Sequence, residues 1–199
     1  MITNITDNFD GNSYISSISG NGRYVVFESS SSNVTGDYIY RCKTYQNDFD
    51  RSCSNIYKVD LINKKYILVS KNVLSGNGDS MEPSINYSGD SVVFRSLAPF
   101  FNDIKYCYNQ YYDEYSYCSI IYLYKNNKLS MISDVKHDSY NGYISSMSDF
   151  ISFDSYSTMS LFEYHYQNST FMYDIANKHV SVINRSPNRV INNVMISSN

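Results

Sequence analysis

Four cysteines are the residues of this 199-residue chain whose spacing could do the most chemistry. Cys42 and Cys53 are 11 residues apart, Cys107 and Cys118 are also 11 apart, and each second cysteine stands four residues ahead of a tyrosine, Tyr57 or Tyr122. A disulfide across the base of an excursion accounts for both pairs, because it removes closure entropy from the unfolded chain and stabilises by about 2 to 3 kcal/mol for a loop of this length. Free thiols are the next reading. Metal binding fits less well, since structural zinc sites use tighter Cys-x2-4-Cys spacing or nearby His. Disulfides imply an oxidising compartment, hence an extracytoplasmic setting: secreted, periplasmic or on a surface. Met1 to Asp10 lacks the basic start and apolar run of a signal peptide, which fits a chain that is an internal piece of something longer.

The segments inside the pairs are Lys43 to Ser52 and Tyr108 to Tyr117. The second concentrates Tyr108, Tyr111, Tyr112, Tyr115 and Tyr117 around Asp113 and Glu114. Tyrosine gives rigid, amphipathic contact area at low entropic cost, so these seven residues are the candidate partner-binding set. The alternative is a loop whose rings pack on the body of the protein. Asp7, Asp10, Asn12, Asp138 and Asn141 could offer oxygens to calcium, but no EF-hand spacing is present and they read as turn caps. His137, His165 and His179 lie in dissimilar contexts and read as surface residues. No G-x-S-x-G elbow, H-E-x-x-H pair or phosphate loop occurs. No catalytic residue, metal or cofactor is therefore assigned, and the chain is read as not an enzyme.

Bulk charge narrows the partners. A net charge of −3 with scattered Lys and Arg argues against nucleic acid, which needs clustered cations. No apolar run reaches the roughly 18 residues that span a bilayer, so no membrane insertion is expected. That leaves a protein partner or self-association, with a small-molecule ligand unknown. The 22 tyrosines and abundant Ser, Asn and Ile favour strands and turns. AT-rich coding bias would produce much of the same excess.

The elements that must hold these residues repeat. Ser16 to Glu28 reads SSISGNGRYVVFE, two alternating stretches around Gly20-Asn21-Gly22, whose residues tolerate positive φ and close a hairpin. The pattern returns in Ser84 to Arg95 and, without the glycine, in Ser145 to Asp154. Ile56 to Leu61 with Lys65 to Ser70 adds a second hairpin to the first unit, and Ile120 to Tyr124 with Lys128 to Ser133 does the same in the second. Phe27, Phe94 and Phe153 are spaced by 67 and 59 residues. Periods of this size covering four short strands fit β-propeller blades, which bury their faces only against neighbours. The predicted fold is all-β: one domain over 1–199, a partial propeller with blades at 14–70, 83–133 and 143–184, partial strands at 1–6 and 190–199, and a ring not closed within one chain. Val25 and Phe27 are expected at the contacts between blades. Gly76-Asn77-Gly78 reads as a connector, and sequons such as Asn33-Val34-Thr35 and Asn168-Ser169-Thr170 are permissive only.

With the serine-turn-GRYVVFxS run at Ile18 to Ser29, Gly36-Asp37, the IYxxDLxNxK run at Ile56 to Lys64 and Val69-Ser70, the chain resembles the TolB-like, or WD-repeat-like, propeller repeats. The second unit matches less fully and the third weakly. That resemblance implies a docking platform without catalysis or, alternatively, an accessory propeller of a larger hydrolase or peptidase whose catalytic part is outside this chain.

Overall fold

The computed structural model describes residues 4–37, 41–44, 47–71, 78–98, 106–109, 114–133, 137–157 and 167–185. Among them every regular element is a strand. The first blade starts with β1 (Ser13–Ile18) and β2 (Tyr24–Ser29), inserts a ribbon of β3 (Arg41–Thr44) and β4 (Asn47–Ser52), and finishes with β5 (Asn55–Asp60) and β6 (Lys65–Leu68). The second repeats this order with β7 (Ser80–Ile85), β8 (Ser91–Ser96), a ribbon of β9 (Tyr106–Asn109) and β10 (Glu114–Tyr117), then β11 (Ile120–Lys125) and β12 (Lys128–Met131). The third holds β13 (Ser139–Ile144), β14 (Phe150–Ser157), β15 (Gln167–Asp174) and β16 (His179–Arg185). Each blade is a four-stranded antiparallel sheet with its strands in chain order, and none of the sheets closes on another. The fold is thus an all-β, partial propeller of three blades. β7 packs on β1 and β2, and β13 on β7 and β8, so β1, β7 and β13 form the inner edge of the fan.

Strand parity decides which residues join the blades. Side chains alternate between faces, so Val26 and Ile56 look toward blade 2 and pack with Val92, Phe94, Ile120 and Tyr122. Val93 and Ile121 of blade 2 pack in turn with Ile151 and Phe153 of blade 3. Val25 and Phe27, expected between blades, lie on the opposite face of blade 1 with Tyr57, Val59, Ile5 and Phe9. The correction is one residue of register: Val26, not its neighbours, faces the next blade.

All three inner hairpins use one turn. Gly22, Gly89 and Ser148 sit at φ +71°, +81° and +62°. In the first and third turns the N–H of that residue donates to a backbone oxygen three positions earlier, Gly22 to Ser19 at 2.8 Å and Ser148 to Ser145 at 3.0 Å. The first turn residue then accepts from the following strand: Tyr24 N–H donates to Ser19 Oγ at 2.9 Å, Ser91 N–H to Asn86 Oδ1 at 3.1 Å and Phe150 N–H to Ser145 Oγ at 3.0 Å. Of Gly20, Asn21 and Gly22, only Gly22 takes positive φ. The third blade needs no glycine because Ser148 accepts the αL strain while its Oγ takes a 2.7 Å hydrogen bond from Asn86 Nδ2. Neighbouring turns are also linked, Asn21 N–H donating to Tyr87 O at 3.1 Å and Tyr87 N–H to Ser146 O at 2.9 Å.

Small hydroxyls close the other end of each blade. Ser13 donates to Ser29 at 3.1 Å, Ser80 pairs with Ser96 at 2.9 Å and Ser139 donates to Ser155 at 3.1 Å. Blade joins are equally periodic: Ser80 N–H donates to Ser54 O, and Ser139 N–H to Ser119 O, both at 2.8 Å. Asp79 and Asp138 accept the N–H of Ser54 and Ser119 at 2.8 and 2.7 Å. Asp138 is therefore a cap on the seam between blades, 19 positions away in sequence, where a cap on its own turn was expected.

The segment expected as a strand at 1–6 differs where it is described. Asn4–Thr6 is bent, because Asn4 Oδ1 accepts both the N–H and the hydroxyl of Thr6, at 3.0 and 3.1 Å. Met1, Ile2 and Thr3 and the expected strand at 190–199 lie outside the described residues, as do Gly76 and Asn77. In the second blade the inner strand begins at Ser80, before the expected Pro83, and bulges between Met81 and Ser84. Pro83 sits inside that bulge, where a ladder N–H is not needed.

Candidate functional site

The ribbons grow from the same point of two successive blades, between the second and third strands. Cys42 is disulfide-bonded to Cys53 and Cys107 to Cys118, with Cα atoms 5.0 and 4.9 Å apart. All four cysteines are buried, and Cys107 and Cys118 belong to the apolar cluster that joins blades 1 and 2. The expected loops are thus two-stranded ribbons whose bases are fixed in the core. Their sequences, KTYQNDFDRS and YNQYYDEYSY, concealed this, since polar residues dominate both strands.

Register places the tyrosines. In the second ribbon Tyr108 pairs with Tyr115, Tyr106 with Tyr117, Cys107 with Ser116 and Asn109 with Glu114. Tyr111, Tyr112 and Asp113 lie outside the described residues, while the backbone of Tyr108, Glu114, Tyr115 and Tyr117 falls within the ribbon. Tyr106 was not among the expected contacts. Its place directly before Cys107, one strand period from Tyr108, is the cue that could have found it.

Charged groups elsewhere are tied into the frame. Arg23 Nη2 meets Asp60 Oδ2 at 2.7 Å, and Asp60 also accepts the N–H groups of Ile62 and Asn63 at 3.0 and 3.3 Å. The Arg23 guanidinium, with those N–H groups, holds the Asp60 carboxyl well below the usual carboxylate range. This explains the Arg of GRYVVF and the Asp and Asn of IYxxDLxNxK as one clamp on the outer turn. On the inner side, Arg95 Nη2 pairs with Glu82 Oε1 at 2.9 Å, and Glu82 Oε2 accepts Asn141 N–H at 3.4 Å. Asn141 Nδ2 donates to Asp154 Oδ2 at 2.9 Å, which continues the network into blade 3. Buried Glu28 accepts from Ser54 Oγ at 2.7 Å, and burial pushes its carboxyl up.

Among the described residues no group of three or more His, Cys, Asp or Glu is placed to hold a metal, and His165 lies outside them. Asp10 Oδ1 accepts Ser32 N–H at 2.7 Å, and Asn12 accepts Ser30 N–H at 3.0 Å through its backbone oxygen, a main-chain bond and not a side-chain cap. Among the described residues no helix is long and apolar enough to cross a membrane.

No protein-family model and no curated protein matches this chain. Solved structures do. A putative TolB from Agrobacterium tumefaciens matches with a TM-score of 0.52 at 12% identity, over 91% of this chain and 51% of that one. The tricorn protease matches with a TM-score of 0.51 at 12% identity, over 84% of this chain and 18% of that one. The chain thus spans about half of the first and under a fifth of the second. At such identities the likeness is one of fold: the blades are arranged as in a β-propeller.

Proposed function

We propose that the chain is a non-enzymatic protein-binding module that contacts its partner through the disulfide-tied ribbon β9–β10. The observation that supports this is the ribbon itself: its backbone pairs Tyr106 with Tyr117 and Tyr108 with Tyr115, and the buried Cys107–Cys118 disulfide fixes its base. A tyrosine array on a covalently fixed base binds at low entropic cost, because the base is ordered before the partner arrives. The two disulfides fit an extracytoplasmic setting, where such bonds persist. A second reading, an accessory propeller of a larger hydrolase, takes its support from the likeness to the tricorn protease. A nucleophile elbow in coding sequence adjoining this chain would favour it.

The test is a variant with Tyr108, Tyr111, Tyr112 and Tyr115 changed to serine. Partners captured from the extracytoplasmic fraction of the native cell by the wild-type protein should be lost, with an unchanged melting temperature. Retention of the same partners by the folded variant would overturn the ribbon as the contact surface.

A further inference from the structure

Blades 2 and 3 each rest an aromatic pair on the blade before. Phe94, stacked on Tyr122 with centroids 5.8 Å apart, packs with Val26 and Ile56 of blade 1. Phe153, stacked on Phe171 at 5.5 Å, packs with Val93 and Ile121 of blade 2. Blade 1 carries the same pair, Phe27 on Tyr57 at 5.8 Å, but there the place of the preceding blade is taken by the segment ahead of β1. Phe9 stacks on Phe27 at 6.0 Å and meets the edge of Tyr66 at 5.8 Å. Tyr66 Oη donates to Ile5 O at 2.6 Å. The far end is polar: the hydroxyls of Ser31 and Ser32 and the Ser32 N–H all donate to the Asp10 carboxylate, while Asn33 Nδ2 donates to Asn8 O at 2.9 Å.

This is a groove holding a peptide: an aliphatic residue, an aromatic one four positions on and an acid directly after, Ile5, Phe9 and Asp10. We propose that the groove of one copy also accepts residues 4–12 of a second copy, so that the chain forms dimers by exchanging this segment. The seated segment itself defines the ligand, and an exchanged segment remakes the contacts of Ile5, Asn8, Phe9 and Asp10, while the bonds of Asn12 beside β1 open to let the chain cross. Gly11 is required in both forms, since a Cβ there would stand 2.6 Å from Ser31 N. The site lies on the outer face of blade 1 and goes beyond the ribbon reading, which can fail without affecting it.

The double variant I5D/F9D empties the groove and removes the donor segment. A labelled peptide of the sequence Asn4 to Asn12 should bind this variant at least ten-fold more tightly than it binds the wild-type protein, whose groove is filled. The same peptide with Phe9→Ala should lose at least ten-fold. Sedimentation of the wild-type protein at rising concentration should show a dimer that I5D/F9D does not form. Absence of peptide binding to the folded variant overturns the groove; peptide binding with a wild-type protein that stays monomeric, or a dimer that persists in I5D/F9D, overturns the second copy as occupant. Should I5D/F9D not fold, Ile5→Ala takes its place: it trims only the seated segment, leaves the groove and the Tyr66 donor intact for the peptide, and should admit the peptide several-fold better than wild type.

Discussion

The seam between blades 1 and 2 and the ribbon that projects from blade 2 share residues yet are held together by different physics. The seam is an interior: Val26, Ile56, Phe94 and Tyr122 are buried, and the backbone groups at its end are matched by Ser54, Ser80 and Asp79. The ribbon β9–β10 is two short strands on a disulfide, and Cys107 and Cys118 are where it enters that interior. An interior of this kind tolerates little change in volume. A ribbon fixed at its base leaves the residues away from the base free to vary. Architecture and recognition can thus be altered separately in this chain, and each prediction below tests that separation.

The largest effect is expected from Phe94→Ala. It deletes a fully buried ring at the centre of the seam and should cost about 3 to 5 kcal/mol in urea unfolding, through lost transfer energy and the cavity left behind. Both blades should lose hydrogen-exchange protection together. A loss confined to blade 2 would mean that the seam is not one cooperative unit. Smaller is the effect of C107S/C118S, which should cost about 2 to 3 kcal/mol by the loop-closure argument. Protection of the amides at 106–117 should fall first, while that of Ile121 persists. Equal losses at both sites would abolish the distinction between ribbon and seam.

How much of this was legible in the sequence depends on whether a residue's role is local. The matched Cys pairs, the periods linking Phe27, Phe94 and Phe153, and the four strands per blade are local patterns, and the structure follows them. Facing was not legible. Val25, Val26 and Phe27 are all apolar, so only the arrival of the next blade decides which of them it covers. Chemistry at the turns was legible by class and not by position: Ser148 adopts positive φ with a side chain that prefers to avoid it, because Asn86 of another blade rewards the arrangement. Serine, read as a turn former, also sits buried at strand ends as Ser29, Ser96 and Ser155, where a hydroxyl both donates and accepts in a space too small for an amide. Asn4–Thr6 misled because alternation of apolar and polar residues is the same in a strand and in an Asx-closed bend.

The smallest effect is the most selective, because acid should act on the seam and on the segment ahead of β1 with opposite signs. Hydrogen bonds from the Ser31 and Ser32 hydroxyls and the Ser32 N–H hold the Asp10 carboxyl down at about 2, against an ordinary 3.8. A carboxyl depressed by folding contributes its stability in full above its unfolded value. That contribution is lost as the pH falls from about 4 toward 2. Glu28, at the seam, is shifted the other way by burial, so its ionisation opposes folding and the seam gains as the pH falls through the range above 4.5. Exchange protection of the Phe9 and Asp10 amides should therefore drop between pH 4 and 2, while that of the Ile56 amide at the seam, which donates to the Ser70 hydroxyl, does not fall with it. Asp10→Asn should flatten the first response and leave the second unchanged. A common profile for the two regions, or a response at Phe9 that survives Asp10→Asn, would show that the segment is bound as part of the blade interior and not clipped on to it.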